Sequence, residues 1–275
     1  MSKIIIGIHG LSNKPAADTL QDWWKEAIKE GLKKNTGISS PEFDFESVYW
    51  ADVMYDKPDT NPDSYKPAEE GKIRTYEASK SDILRGILLD TGEDMWEAGK
   101  RLLGFINDLP GKVIKSKLKD LHRYYEEQTV RETLRERLKR KILEHQGKRI
   151  MILSHSMGTI IAYDVLRSLG REHARLLVDH FVTLGSPLGL PHVKLNIAQE
   201  NPSLRTPSIV RKWSNFADRR DPVSLDVYLS GDYEANDDGV KVKDDLVAND
   251  WGGVYHKSYG YLRTPEVSKI IRQFI

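Results

Sequence analysis

A serine stands at the centre of Ser154-His155-Ser156-Met157-Gly158, between an apolar run from Arg149 to Leu153 and an amphipathic stretch from Thr159 to Leu166. A strand that turns sharply into a helix can hold a serine at its tip in a strained backbone conformation. That lifts the hydroxyl clear of the sheet and makes Ser156 a candidate nucleophile. The flanking positions must be small, because the strand and helix backbones nearly touch behind the turn. Gly158 meets that demand, and Ser154 occupies the place where the usual Gly-x-Ser-x-Gly pattern has its first glycine. Near the amino terminus a second apolar run, Lys3 to Ile8, ends in His9-Gly10-Leu11-Ser12. A His-Gly pair at the carboxyl end of a buried strand can present one backbone N–H to a developing oxyanion, the second coming from the residue after the nucleophile. Leu11 and Met157 are the expected oxyanion donors, with Gly10 permitting the close backbone approach.

Three more stretches extend the pattern: Thr183-Leu184-Gly185-Ser186-Pro187-Leu188-Gly189, Asp221-Pro222-Val223, and a late histidine, His256. Taken with the two motifs above, the chain resembles the α/β-hydrolase superfamily, in its lipase- and esterase-like branch. The motifs span nearly the whole chain in the family's order, and the segment from about residue 55 to 128 carries none of them. The resemblance implies a nucleophile, acid and base in the order Ser, Asp or Glu, then His. Ser156, Asp221 and His256 obey it. Two aspartates follow the strand-like Lys212-Trp213-Ser214-Asn215-Phe216, however. Asp221 is preferred over Asp218 because Pro222-Val223 follows it, although Asp before Pro also begins ordinary turns. Arg219 and Arg220 could neutralise whichever aspartate is not used. His122, His145, His173 and His180 precede the acid and read as surface or structural residues. His9 and His155 flank the serine in the wrong order to be the base and are expected to line the substrate site with Gly10. His192, read as lying in a loop after Leu188-Gly189-Leu190-Pro191, is expected to contact substrate.

The elements that must position these groups alternate along the chain. The β-branched run Lys3 to Ile8 reads as a buried parallel strand. Leu20, Trp24, Ile28 and Leu32 recur at helical spacing after a start near Asp18. Phe43 to Trp50 reads as a second strand. Thr129-Val130-Arg131-Glu132 has the form of a capping box opening a helix with Val130, Leu134, Leu138 and Ile142 on one face. Another strand is expected from about Leu177 to Leu184, and a last helix near Thr264-Pro265-Glu266, where Pro265 suits a first helical position. The expectation is an α/β fold: a mostly parallel central sheet with helices on both faces, the α/β-hydrolase fold, forming one domain over 1–275. Leu84, Ile87, Leu88, Met95, Trp96, Leu102, Leu103 and Ile106 show mainly helical spacing, so 55–128 reads as a helical cap insertion over Ser156.

Composition narrows the partners. With 42 Lys and Arg against 41 Asp and Glu, the net charge of +1 supplies no global attraction to nucleic acid or an anionic membrane. A mean hydropathy of −0.53 and the lack of a long apolar run leave no transmembrane segment; a peripheral membrane contact finds no support. The first strand begins almost at the first residue, leaving no room for a signal peptide, which predicts a cytoplasmic protein. The absence of cysteine excludes disulfides and thiolate chemistry. Asp232-Tyr233-Glu234-Ala235-Asn236-Asp237-Asp238-Gly239 is acidic but has Asp237 where a calcium loop needs its turn glycine, so it reads as a solvated turn and no metal is expected. Lys112, Lys115, Lys117, Lys119 and Arg123 read as a solvated helix face. The expectation is a cofactor-free serine hydrolase of a carboxylic ester, taking a small-molecule or lipid ester with an apolar acyl group. A thioesterase, acyltransferase or peptidase would use the same triad. A noncatalytic binding protein could share the same fold. Oligomeric state is not legible.

Overall fold

The computed structural model describes residues 1–60, 65–68, 76, 111–224, 226–251 and 255–275, with backbone alone over 111–118. In chain order the elements are β1 (Lys3–Ile8), α1 (Ala17–Thr36), β2 (Phe45–Val48), α2 (Ala51–Met54), α3 (Gly111–Glu126), α4 (Gln128–Glu144), β3 (Arg149–His155), α5 (Met157–Glu172), β4 (His180–Leu184), α6 (Pro191–Glu200), β5 (Trp213–Ala217), a 3-10 turn (Leu229–Gly231), β6 (Lys243–Leu246), α7 (Ser258–Leu262) and α8 (Pro265–Phe274). The six strands form one sheet in the order β2-β1-β3-β4-β5-β6, and every pairing is parallel.

Successive strand residues point to opposite faces, so a strand buried on both faces must be apolar throughout. Ile4, Ile6 and Ile8 enter one core with Val130, Leu134, Leu138 and Ile142 of α4 and Ile160, Ile161 and Val165 of α5. Ile5, Met151 and Leu153 enter the other with Leu20, Trp24 and Ile28 of α1 and Val267 and Ile271 of α8. The sheet therefore carries helices on both faces. From β1 the chain steps outward to β2, then returns to place β3 on the other side of β1. That reversal leaves a crevice at the carboxyl ends of β1 and β3, where open parallel sheets bind their ligands. Residues 9–12 and Ser156 follow those two strand ends.

Several boundaries differ from the sequence reading for local physical reasons. Strand β2 stops before Trp50, whose indole N–H donates to His9 O at 3.0 Å and whose backbone turns to open α2. Thr129 does not cap α4: Glu127 is the cap, and the bonds Glu127 N to Arg123 O and Arg131 N to Glu127 O carry the ladder from α3 into α4. Helix α1 likewise starts after Ala16 without a side-chain cap, Asp18 sitting in its first turn. Strand β4 begins at His180, and Val178 makes only an isolated bridge to Val210. Helix α6 forms where the sequence suggests a loop, with Pro191 at its start.

The stripe from Leu84 to Ile106 lies outside the described residues. The end of the 55–128 segment belongs to the body: Tyr124 is fully buried in the core containing α4, and its hydroxyl donates to Asp164 at 2.6 Å. The basic stretch falls on undescribed side chains except at Lys119, which is exposed, and Arg123, paired with Glu127 at 2.9 Å. Among the described residues no helix is long and apolar enough to cross a membrane.

Candidate active site

Ser156 sits between the end of β3 and the start of α5 with φ 53° and ψ −130°. A positive φ at a residue bearing a β-carbon costs of order 1–3 kcal/mol and persists only where the surroundings enforce it. Here they do so on both sides: Ser156 N donates to Leu184 O at 3.0 Å, and Ser156 O accepts from Thr159 N at 2.9 Å and from the Thr159 hydroxyl at 2.7 Å. Behind the turn the requirement for small residues is steric. A β-carbon at Gly158 would lie 2.6 Å from both His9 O and Ile8 O, and one at Gly10 would lie 2.5 Å from Ser156 Cβ. Ser154 fits the first glycine place because its buried hydroxyl donates across to Val182 O on β4 at 2.7 Å.

The serine hydroxyl is 2.9 Å from Nε2 of His256, and His256 Nδ1 is 2.7 Å from Asp221 Oδ2. A carboxylate only accepts, so in the neutral imidazole Nδ1 carries the proton and Nε2 accepts from the serine hydroxyl. All three residues are buried. Asp221 is held by Val223 N on Oδ1 at 2.8 Å, and on Oδ2 by the Ser224 hydroxyl at 3.3 Å and the Tyr261 hydroxyl at 2.7 Å. Burial, then the Asp221 charge, push the Tyr261 phenol well above its ordinary range, so it remains a donor. Asp218 does different work. Its Oδ1 accepts from Arg220 N and Nε, both at 2.9 Å, and its Oδ2 from an Arg220 terminal nitrogen at 2.6 Å and Asn249 N at 2.8 Å. The same guanidinium stacks 3.9 Å from the ring centre of Tyr255, which precedes His256. Asp218 thus braces the loop that carries the histidine.

Of the residues expected to line the site, His155 points Nε2–H at His256 O, 2.8 Å away, and so holds the His256 backbone. His9 is buried beneath Trp50, ring centres 4.5 Å apart. Its Nδ1 donates to Gly10 O at 2.9 Å and its Nε2 accepts from Trp50 N at 3.0 Å. Burial, then the charge of Lys14, hold this imidazole well below its usual range, which keeps it neutral. Both ring nitrogens therefore serve the backbone. His192 is exposed on the first turn of α6, bonded to Asn196 and edge-on to Tyr125 at 5.7 Å; among the described residues no hydrogen bond or ring contact joins it to Ser156, Asp221 or His256. Met157 opens α5, so its N–H lacks an intrahelical partner. Leu11 follows Gly10 on the facing loop. Tyr261, Ser224 and the anchoring bond of His155 had no signal in the sequence, since lone tyrosines and serines carry no spacing signature.

The other histidines hold to peripheral places: His122 and His173 are exposed, and His180, held at about 4 by burial and then by Lys212, bonds the Ser214 hydroxyl. In the acidic stretch Asp232 pairs with Lys194 and Asp237 with Arg205, each at 2.7 Å. A metal-like grouping among the described residues is Glu46, Glu144 and His145, and the Lys141 ammonium bridges its two glutamates at 2.6 and 2.9 Å. In comparisons with known proteins, the chain matches no family model and no curated sequence.

Proposed function

We propose that the chain is a serine hydrolase cleaving a carboxylic ester, most naturally one with an apolar acyl group, through an acyl-enzyme on Ser156. The observation that carries this reading is the continuous hydrogen-bonded line from the strained Ser156 through His256 to Asp221. In the reaction His256 Nε2 takes the hydroxyl proton as Ser156 Oγ attacks the ester carbonyl. Asp221 holds the tautomer that leaves Nε2 free and stabilises the imidazolium. The oxyanion of the tetrahedral intermediate is received by the N–H groups of Met157 and Leu11. His256 then returns its proton to the departing alcohol, and water repeats the cycle on the acyl-enzyme.

A fluorophosphonate probe tests the reading directly. Stoichiometric labelling of Ser156, lost in Ser156→Ala, is expected, together with hydrolysis of short p-nitrophenyl esters by the parent and a loss of at least about 10³-fold in the variant. Folded parent protein that neither labels nor hydrolyses any ester, thioester or amide offered would leave a noncatalytic binding protein on a hydrolase fold. Side-by-side rates on matched esters, thioesters and amides of increasing acyl length identify the bond cleaved and the acyl preference.

A further inference from the structure

The loop leaving β1 carries the Leu11 N–H, and its peptide planes are fixed one by one. Gly10 O accepts from His9 Nδ1. In a trans peptide the N–H points opposite to the C=O, so this bond aims Leu11 N–H away from His9. The next peptide is gripped at both ends by opposite charges: Leu11 O accepts from the Lys14 ammonium, and Ser12 N donates to Asp120 Oδ2 at 2.9 Å. Ser12 itself has φ 72°. A left-handed conformation at a residue with a β-carbon needs such external holding.

The holding comes from a particular place in the fold. Asp120 is buried on α3, 108 residues away in sequence, and also accepts the Tyr55 hydroxyl, at 2.8 and 2.9 Å from its two oxygens. Tyr55 ends α2, just after β2. The same loop is tied again where the chain leaves α2: Asn13 Nδ2 donates to Lys57 O at 2.9 Å, and Asp59 N to Lys14 O at 2.7 Å. A buried carboxylate costs free energy unless its hydrogen bonds are made. A negative charge beside a site that receives an oxyanion would also oppose catalysis, unless its acceptor role outweighed that repulsion.

We propose that Asp120 is a positioning residue for the oxyanion hole: through Ser12 N–H it sets the orientation of the Leu11 donor, and Tyr55 holds the carboxylate in place. The inference rests on Ser156 acting as the nucleophile with Leu11 as an oxyanion donor. Asp120 acts through its bond to Ser12 N. Its effect is carried by the direction of one backbone N–H, to which the transition state is sensitive and the ground state is not.

The test compares parent, Asp120→Ala, Asp120→Asn and Tyr55→Phe. Three readouts are taken: ester turnover, affinity for a trifluoromethyl ketone that adds to the serine and forms an oxyanion, and affinity for a non-cleavable ether analogue that does not. Asp120→Ala is expected to lower kcat by about 10- to 100-fold, somewhat less than outright loss of a donor. KM should stay within about 3-fold, ketone affinity should fall in step with kcat, and ether affinity should hold. Asp120→Asn, whose amide oxygen can still accept from Ser12 while Tyr55 turns to accept, should keep most of the activity. Tyr55→Phe removes one oxygen from a partly exposed residue and should show the same pattern at smaller amplitude, which serves should Asp120→Ala not fold. Folded variants with kcat and ketone affinity unchanged, or with ketone and ether affinities falling equally, overturn the proposal. A parent that fails to label or to bind the ketone overturns instead the reading of Ser156, so the two failures are distinct.

Discussion

Replacing Asp221 by asparagine changes one oxygen for one NH₂, and the surrounding donors decide which way the amide must face. Oδ1 accepts from Val223 N, a backbone donor that cannot reverse its role. Oδ2 faces His256 Nδ1, the Tyr261 hydroxyl and the Ser224 hydroxyl, and all three can switch from donor to acceptor. The amide therefore keeps its oxygen toward Val223 and turns its NH₂ toward His256. Nδ1 must then accept, the proton moves to Nε2, and Nε2 loses the lone pair that takes the serine proton. The wrong tautomer in such a triad costs about 10⁴ in kcat, or about 5.5 kcal/mol of transition-state stabilisation. Folding should survive, because the two N–H groups can serve His256 and Tyr261, and the bond given up is the longest of the three, the one to Ser224 at 3.3 Å. Asp218→Asn acts elsewhere: it weakens the pair with Arg220 and should cost about 1–3 kcal/mol of stability with turnover reduced by no more than about 10-fold. The assay is kcat and KM on a short p-nitrophenyl ester beside a urea unfolding curve for each variant. Asp221→Asn that keeps kcat within about 10-fold, or a reversed ranking of the two aspartates, would refute the assignment of the acid.

Two further outcomes follow from buried charge. Burial, and next the carboxylate of Asp232, raise the Asp226 carboxyl to about 7. Its folded pKa thus lies above the unfolded one of about 3.9, so the folded state favours the protonated form and native stability falls as pH rises from about 4 through about 7. Asp226→Asn should therefore raise Tm at pH 8 while leaving it nearly unchanged at pH 4; parallel Tm profiles for parent and variant would contradict this. Arg135 pairs with the buried Asp164 at 2.7 Å and bonds the Tyr124 hydroxyl at 2.9 Å. Burial raises the Asp164 carboxyl despite that partner. Arg135→Met should cost about 2–4 kcal/mol by urea denaturation, allowing for the partial exposure of the arginine, and adding Asp164→Asn should recover part of the loss. A fully additive double variant would show that the two residues do not act as a pair.

What the chain alone determined was the scaffold and the sites where chemistry could occur. Ile4 to Ile8 and Ile150 to Leu153 are short runs, apolar at every position, as a strand buried on both faces requires, and the sheet is parallel with helices on both sides. Gly158 is small because backbone atoms lie behind it, a demand that any strand-turn-helix of this tightness imposes locally. The α4 stripe Val130, Leu134, Leu138 and Ile142 was legible because a core face repeats at helical spacing. Strand β6, Lys243–Leu246, was not legible: as an edge strand with polar, half-exposed residues it takes its form from pairing with β5, and an edge leaves little hydrophobic pattern. Helix α6 was likewise hidden behind a Gly-Leu-Pro sequence that reads equally as a loop.

Only the tertiary structure shows which of Asp218 and Asp221 meets His256. Both are buried and both follow β5 within four residues, so local sequence cannot separate them. Which carboxylate meets His256 depends on where a chain segment 35 residues later returns, and on Arg220 having claimed the other. The same holds for His9 and His155, whose place beside the serine is plain from sequence. Nε2 of His155 nevertheless goes to His256 O, and both ring nitrogens of His9 go to the backbone, to Gly10 O and Trp50 N. The bonds from His9 to Trp50 N, 41 positions on, and from His155 to His256 O, 101 positions on, leave no trace in local composition, because each partner's side chain is ordinary for its own neighbourhood. A strand's burial is written in its own residues; a contact is a property of two segments and exists only once the sheet has set them side by side.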